Sequence, residues 1–184
     1  MKVVIINGSG GSGKDTIVEL FRTYVFNDYI VGNMSTIDKV KSIARTMGWK
    51  DEKDEEGRQF LADLKKAWTD YNNGANEEVL QNIINWEYDE QLLNKEVILF
   101  IHCREPEAIG WFVDQLKNRN IDVCTVIVKR ENIIEFFNEA DKSVDNYNYD
   151  ITILNNNTLE ELEKVCKDFS EIIVNWNIEK RILV

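Results

Sequence analysis

The sequence contains few of the residues that build metal and disulfide sites. Its 184 residues include one histidine (His102), one proline (Pro106) and three cysteines. One histidine excludes a zinc site with several histidines, and it leaves His102 as the only imidazole for a catalytic triad. Three cysteines without a Cys-x-x-Cys spacing argue against a disulfide framework and favour a reducing compartment.

Positive charge and long apolar runs are also scarce. The net charge of −11, from 22 basic and 33 acidic residues, argues against a surface that binds nucleic acid or anionic membranes. No apolar run approaches the roughly 18 residues of a membrane span. The apolar stretch after Met1 and Lys2 is too short for a secretory signal. We therefore expect a soluble, cytoplasmic protein without nucleic-acid or membrane partners.

The order of apolar runs and helical patterns predicts an α/β fold. Five short apolar runs are predicted to be strands, and they alternate with segments of helical periodicity. The predicted strands are 2–7, 29–33, 96–102, 121–128 and 150–154, and the predicted helices are 14–26, 36–47, 57–73, 77–93, 106–118, 131–140 and 158–176. This alternation is typical of a parallel sheet with helices on both faces. At this length we expect a single domain, residues 1–184.

Glycine is concentrated at one place, with four of the nine glycines between Gly8 and Gly13. The run Gly8-Ser9-Gly10-Gly11-Ser12-Gly13-Lys14 follows the first strand and opens the first helix, which is the phosphate-binding loop pattern in its required context. Backbone N–H groups in such a loop surround an anion, and the helix N-terminus adds partial positive charge. The lysine reaches the β- and γ-phosphates. The alternative is a flexible glycine–serine turn.

The residue after Lys14 departs from the usual pattern. Asp15 stands where serine or threonine normally binds Mg²⁺, and Thr16 follows it. Carboxylates are good ligands for hard cations, so Asp15 either holds Mg²⁺, directly or through water, or only stabilises the helix N-terminus by its charge. We place Thr16 close to the phosphates through its backbone and hydroxyl.

A basic residue follows the third predicted strand. Arg104 lies at the carboxyl end of this strand, where open parallel sheets bind ligands. It is either a clamp for phosphate or carboxylate, or the ion-pair partner of Glu105 or Glu107. We interpret His102 as a core or strand-end histidine, because the sequence shows neither a nucleophile nor an orienting partner for it.

Further basic residues lie after the fourth strand and in the middle of the chain. Lys129 and Arg130 end the fourth strand, and Lys142 lies in the polar loop 141–149. Cations there either close over a transferring phosphoryl group or are ordinary surface charges. Lys41 follows Asp38 by one helical turn. Arg58 either contacts a substrate or compensates the negative charge of the acidic run before it.

Residues Gly8–Thr16 (GSGGSGKDT) resemble the phosphate loop of the bacteriophage deoxynucleoside monophosphate kinases and the animal-type phosphomevalonate kinases. Residues 101–109 (IHCREPEAI) are similar to the Asp-x-Arg-x-x-x-Glu type of pattern in this group, with His102 in place of the aspartate. Lys129-Arg130 resembles the start of its lid, and residues 150–156 resemble its last strand and the Asn-rich start of its last helix. The likeness covers most of the chain in order, but only the phosphate loop matches strictly.

The resemblance implies a P-loop NTPase fold of the nucleoside monophosphate kinase-like group, with a five-stranded parallel sheet and with ATP and Mg²⁺ as the donor. It implies Lys14 on the transferring phosphate, Arg104 on the acceptor phosphate, and Arg130 with Lys142 in a short lid over residues 130–149. Residues 33–93 become a helical insertion that binds the acceptor. The candidate residues in this insertion are Ser35, Asp38, Lys41 and Arg58.

These expectations predict ATP-dependent phosphoryl transfer to a small phosphorylated acceptor, with a (deoxy)nucleoside monophosphate as the first candidate. A kinase of another phosphorylated metabolite is one alternative. A nucleotide-binding module without turnover is the other, and His102 in place of an aspartate favours it. The apolar tail Ile182-Leu183-Val184 suggests a surface that a second copy of the chain covers.

Overall fold

The computed structural model of this protein describes residues 1–52, 54–89, 95–131 and 144–184. The strands in these ranges are β1 (Lys2–Asn7), β2 (Tyr29–Ser35), β3 (Glu96–His102), β4 (Asp122–Lys129), β5 (Ile151–Leu154) and β6 (Arg181–Leu183). The α-helices are α1 (Lys14–Val25), α2 (Asp38–Thr46), α3 (Glu55–Asn72), α4 (Gly74–Glu87), α5 (Pro106–Lys117) and α6 (Leu159–Asn175). Residues 132–140 of the predicted helix 131–140 and most of the predicted lid lie outside the described residues, and so does Lys142.

The described strands form one sheet in the order β2-β3-β1-β4-β5-β6. β1 pairs in parallel with both β3 and β4, and β5 pairs in parallel with β4 and β6. The predicted α/β fold with a parallel sheet is confirmed, but the predicted count of five strands was wrong. The sixth strand, Arg181–Leu183, overlaps the tail Ile182-Leu183-Val184 that we expected to contact a second copy, and Ile182 stays exposed at this edge.

Apolar residues on both sides of the sheet explain why these strands lie at its centre. The β1 residues Val3, Val4, Ile5 and Ile6 are fully buried, as expected for a strand covered by helices on both faces. On the face of α1 and α6, the aromatic rings of Phe21, Phe100 and Phe169 pack edge to face with centroids 5.0–6.4 Å apart. This packing fixes α1, and with it the loop that precedes α1.

The chain divides into two compact units, Met1–Asn33 with Asn94–Val184, and Met34–Leu93. The second unit contains α2, α3 and α4 around a small core that includes Val40, Leu61 and Ala75. α3 begins at Glu55 because the Asp54 carboxylate caps it, accepting a hydrogen bond from the Gly57 N–H at 2.8 Å. The acidic residues before Gly57 therefore supply the cap and first turn of this helix. None of the described helices is long and apolar enough to cross a membrane.

Candidate phosphate-binding site

Four parallel strands end at the same edge of the sheet. β1, β3, β4 and β5 end at Asn7, His102, Lys129 and Leu154, and their registers are continuous from strand to strand. Hydrogen bonds extend the ladders beyond the strand ends, from Cys103 N–H to the Ile6 carbonyl at 3.3 Å and from Asn155 N–H to the Lys129 carbonyl at 2.8 Å. The chain segments that carry Lys14, Arg104 and Arg130 therefore start side by side, at the edge where parallel sheets bind ligands.

The loop Gly8–Lys14 requires glycine at both of its ends. Gly8 and Gly13 have φ angles of 144° and 99°, which residues other than glycine rarely adopt. A Cβ at Gly8 would lie within 3.0 Å of the Val128 carbonyl oxygen, and one at Gly13 within 3.0 Å of the Asn155 amide. Gly10 and Gly11 are exposed, and apart from their chain neighbours no described residue comes within 4 Å of their Cβ positions. The loop is therefore packed on the sheet at its ends and open in its middle.

The Lys14 ammonium group lies across the glycine-rich loop. It donates hydrogen bonds to the carbonyl oxygens of Gly8 and Ser9, the latter at 2.8 Å, and approaches Ser12 Oγ at 3.4 Å. Its positive charge is thus held at the N-terminus of α1, whose first-turn N–H groups have no acceptors within the helix. Asp15 and Thr16 belong to this turn, and both are exposed. The predicted phosphate-loop residues are all brought together here.

Asp15, which stands where the general phosphate-loop pattern has serine or threonine, faces His102. The His102 Nε2 atom lies 3.8 Å from Asp15 Oδ1, and the two side chains are 13% and 92% exposed. The parallel register that places His102 opposite Ile6 brings the end of β3 beside the start of α1. His102 therefore contacts the aspartate that directly follows the loop lysine.

The other predicted cations of this unit lie at the same sheet edge. Arg104 is half-buried directly after β3, and its carbonyl oxygen accepts a hydrogen bond from the Asn7 side chain at 3.0 Å. Arg130 is exposed after β4. Lys129 forms a surface ion pair with Asp145, with Nζ 2.6 Å from Oδ1, which agrees with the alternative of an ordinary surface charge for this residue.

The four candidate acceptor residues belong to the helical unit. Ser35 and Asp38 form a turn before α2, in which Asp38 Oδ2 accepts from the Ser35 N–H at 2.7 Å and Ser35 Oγ accepts from the Ile37 N–H at 3.4 Å. Lys41 is half-buried on α2, and Arg58 is exposed near the start of α3. These hydrogen bonds are local to the start of α2, and acceptor binding by the four residues stays a prediction.

Sequence reasoning missed three buried polar residues that hold the site. Asn155, at 7% exposure, donates from Nδ2 to the Ser12 carbonyl at 2.8 Å. Asn7 is fully buried and its Oδ1 accepts from the Gly8 N–H at 2.7 Å. Tyr149 is buried, its hydroxyl accepts from Asn7, and desolvation raises its pKa above the ordinary value. A polar residue at the end of a buried strand is the signal that marks Asn7 and Asn155.

The parallel sheet and the glycine-rich loop together define a P-loop NTPase fold. The loop lies between a central parallel strand, β1, and the helix that begins at Lys14. No protein-family model matches the sequence, and no curated protein matches it. The crystal structure of APE1195 superposes with a TM-score of 0.52 at 15% identity, over 94% of this chain and 96% of that one.

Two further solved structures superpose with lower scores. A mutant form of the APS kinase CysC from Mycobacterium tuberculosis gives a TM-score of 0.46 at 12% identity, over 92% of this chain and 96% of that one. A de novo designed protein with the P-loop NTPase fold gives 0.39 at 12% identity, over 96% of each chain. At these identities the superpositions concern the fold alone.

Proposed function

We propose that this protein transfers the γ-phosphoryl group of ATP to a small phosphorylated acceptor, and that a (deoxy)nucleoside monophosphate is the first acceptor to test. The proposal rests on the position of the Lys14 ammonium group. This group lies across the glycine-rich loop, at the sheet edge where the chain segments that carry Arg104 and Arg130 begin. Phosphoryl transfer depends mainly on positioning and charge stabilisation. A phosphate-binding loop beside two arginines supplies both.

The residues present fit the phosphates of a nucleotide. Side chains at Gly8 and Gly13 would disrupt the loop, and its exposed middle leaves the backbone accessible to an anion. Lys14 would neutralise the transferring phosphoryl group, Arg104 would bind the acceptor phosphate, and Arg130 would act from the lid. A phosphorylated acceptor is already an anion at its attacking oxygen, so the proposed reaction needs no general base.

Mg²⁺ supplies further charge neutralisation when it is bound with the nucleotide. Among the described residues no group of three or more acidic, histidine or cysteine side chains forms a metal centre. Mg²⁺ bound with phosphates needs only one or two protein carboxylates, so the exposed Asp15 at the end of the loop is sufficient. We propose Asp15 as its protein ligand.

The decisive experiment measures ADP release from ATP and Mg²⁺ with a panel of acceptors. We expect turnover with at least one nucleoside or deoxynucleoside monophosphate, and none with Lys14→Ala. Arg104→Ala should raise the KM for the acceptor at least tenfold and change the Kd for ATP by less than twofold. If a different phosphorylated metabolite is turned over and none of the nucleotides is, the acceptor belongs to a different class from the one proposed.

The contact between His102 and Asp15 supports a second candidate, a nucleotide-binding module that does not turn over. In that case ATP binds, but no acceptor accelerates ADP release. The variant His102→Asp restores the carboxylate of the kinase pattern beside Asp15, and turnover gained by this variant alone would favour the second candidate. Comparing Asp15→Ser with Asp15→Ala tests the metal ligand, because only the serine variant retains an oxygen ligand for Mg²⁺.

A further inference from the structure

We infer that Asn7 and Tyr149 are positioning residues that hold the backbone of Arg104 in a fixed place relative to the phosphate loop. The inference rests on the proposed function, because Arg104 is the residue proposed to bind the acceptor phosphate. It adds a physical connection between the loop that would bind the donor and the arginine that would bind the acceptor.

The Asn7 side chain connects three separate segments of the chain. Its Oδ1 accepts from the Gly8 N–H at 2.7 Å, and its Nδ2 donates to the Arg104 carbonyl at 3.0 Å and to the Tyr149 hydroxyl at 2.6 Å. The Gly8 N–H, the Arg104 carbonyl and the Tyr149 hydroxyl thus meet at the last residue of β1, next to the phosphate loop. One planar amide group therefore sets the distance between the first residue of the loop and the Arg104 backbone.

Tyr149 extends this connection to the chain before β5. Its hydroxyl accepts from Asn7 and donates to the Val144 carbonyl at 2.8 Å. Burial raises the pKa of this hydroxyl, so it stays protonated and keeps donating throughout the neutral range. Tyr149 thus holds the Asn7 amide in the orientation in which its second N–H points to Arg104.

Packing of the apolar core does not by itself account for the buried amide of Asn7. The four residues before Asn7 in β1 are valine or isoleucine, all fully buried, and a buried amide is unfavourable unless its hydrogen bonds are satisfied. Among the described residues, the Asn7 side chain forms hydrogen bonds with Gly8, Arg104 and Tyr149. Because a displacement of about 1 Å between reacting groups can lower a rate roughly 100-fold, such a connection has a direct effect on transfer.

Tyr149→Phe tests this role, and Tyr147→Phe is its matched control. Tyr147 is the adjacent aromatic residue, with ring centroids 5.1 Å apart, and its substitution also removes a single hydroxyl group. We expect Tyr149→Phe to raise the acceptor KM or lower kcat about five- to tenfold, which is the size expected for one lost hydrogen bond. The Kd for ATP should change less than twofold, and Tyr147→Phe should behave as wild type.

A double-mutant comparison separates positioning from general weakening of the fold. If Tyr149 acts through Arg104, Tyr149→Phe has no additional effect on acceptor KM or kcat in the Arg104→Ala background. The same five- to tenfold loss in both backgrounds would overturn the inference, as would an equal loss of ATP affinity. Asn7→Asp is a second variant: it keeps the acceptor for Gly8, places a carboxylate oxygen against the Arg104 carbonyl, and should reproduce the effect of Tyr149→Phe.

A binding measurement keeps this inference separate from the proposed function. Calorimetry with inorganic phosphate, on protein saturated with a non-hydrolysable ATP analogue, probes the Arg104 site without turnover. We expect about fivefold weaker phosphate binding for Tyr149→Phe and no change for Tyr147→Phe. Failure of the acceptor panel alone would overturn the proposed reaction. Equal phosphate affinity in wild type and Tyr149→Phe, or no phosphate binding by the wild type, would overturn the role of Tyr149.

Discussion

The Asn155 side-chain amide donates a hydrogen bond to the Ser12 carbonyl oxygen at 2.8 Å, which joins the chain after β5 to the middle of the phosphate loop. The Asn155 backbone N–H is bonded to the Lys129 carbonyl at the end of β4. The loop that precedes α1 is thus fixed by a residue 143 positions away in the sequence. The shape of the loop depends on the register of β4 and β5.

Asn155→Ala should therefore weaken both the fold and nucleotide binding. The substitution leaves the Ser12 carbonyl without this donor, and we expect a loss of about 1–3 kcal/mol in the free energy of unfolding. Urea unfolding and the Kd for ATP are the measurements. Asn157→Ala is the control, because Asn157 is exposed, and it should change stability by no more than about 0.5 kcal/mol. Equal stability of the two variants would contradict the role of Asn155.

Lys14→Ala should abolish the thermal stabilisation that ATP gives to the wild type. At a ligand concentration of 100 times Kd, stabilisation is about 2.7 kcal/mol, which corresponds to roughly 5–10 °C in Tm for a chain of this size. Lys164→Ala removes an exposed lysine from α6 and should leave the shift intact. An undiminished shift in Lys14→Ala would show that the nucleotide binds elsewhere.

Three glycine-to-alanine variants of the loop should differ in a defined order. Gly13→Ala combines a φ of 99° with a clash against Asn155 and should cost roughly 2–4 kcal/mol of stability. Gly11→Ala has open space but a φ of 79°, and should cost about 1–2 kcal/mol. Gly10→Ala meets neither obstacle and should be close to neutral. Denaturant unfolding measures the order, and a Gly10→Ala variant less stable than Gly13→Ala would contradict this loop geometry.

Stability should fall in alkaline solution partly because of Cys166. This thiol is fully buried, and desolvation, with a smaller contribution from Glu163, raises its pKa from 9.0 to about 12. Above pH 9 the unfolded chain loses the thiol proton while the folded chain keeps it, so stability is complete below pH 9 and is lost as the pH rises towards 12. One thiol contributes at most about 1.4 kcal/mol per pH unit.

Cys166→Ala removes this contribution. Between pH 8 and pH 10.5 its free energy of unfolding should decline less steeply than that of the wild type in urea titrations. The other titrating groups are common to both proteins, so the difference between the two slopes isolates Cys166. Parallel pH profiles would show that the thiol titrates equally in the folded and unfolded chains.

Periodicity and motif context were sufficient to predict the elements that carry the phosphate loop. Residues 14–26 were predicted to be a helix, and the apolar residues Ile17, Val18, Phe21 and Val25 are all buried on α1. The strands β1, β3 and β4 were predicted equally well, because a strand that is covered on both faces consists almost entirely of apolar residues. These local patterns depend on residues only a few positions apart.

The features that could not be predicted depend on pairing between distant segments. β6 has only three residues, and it is a strand because it pairs with β5. The contact of the Asn7 amide with the Arg104 carbonyl and the contact between His102 and Asp15 follow from the register of β1 with β3. A sequence shows which residues are polar at strand ends, but only the alignment of the strands shows which groups they meet.

The central position of β1 has a consequence for local unfolding. β1 has hydrogen-bonded strands on both sides along its length, whereas β6 lies at an edge with one neighbour. Amide hydrogens in β1 should therefore exchange with solvent only when the whole unit unfolds, and those of β6 should exchange through local fraying. The phosphate loop extends from the strand that opens last, so fraying of the β6 edge should leave its conformation intact.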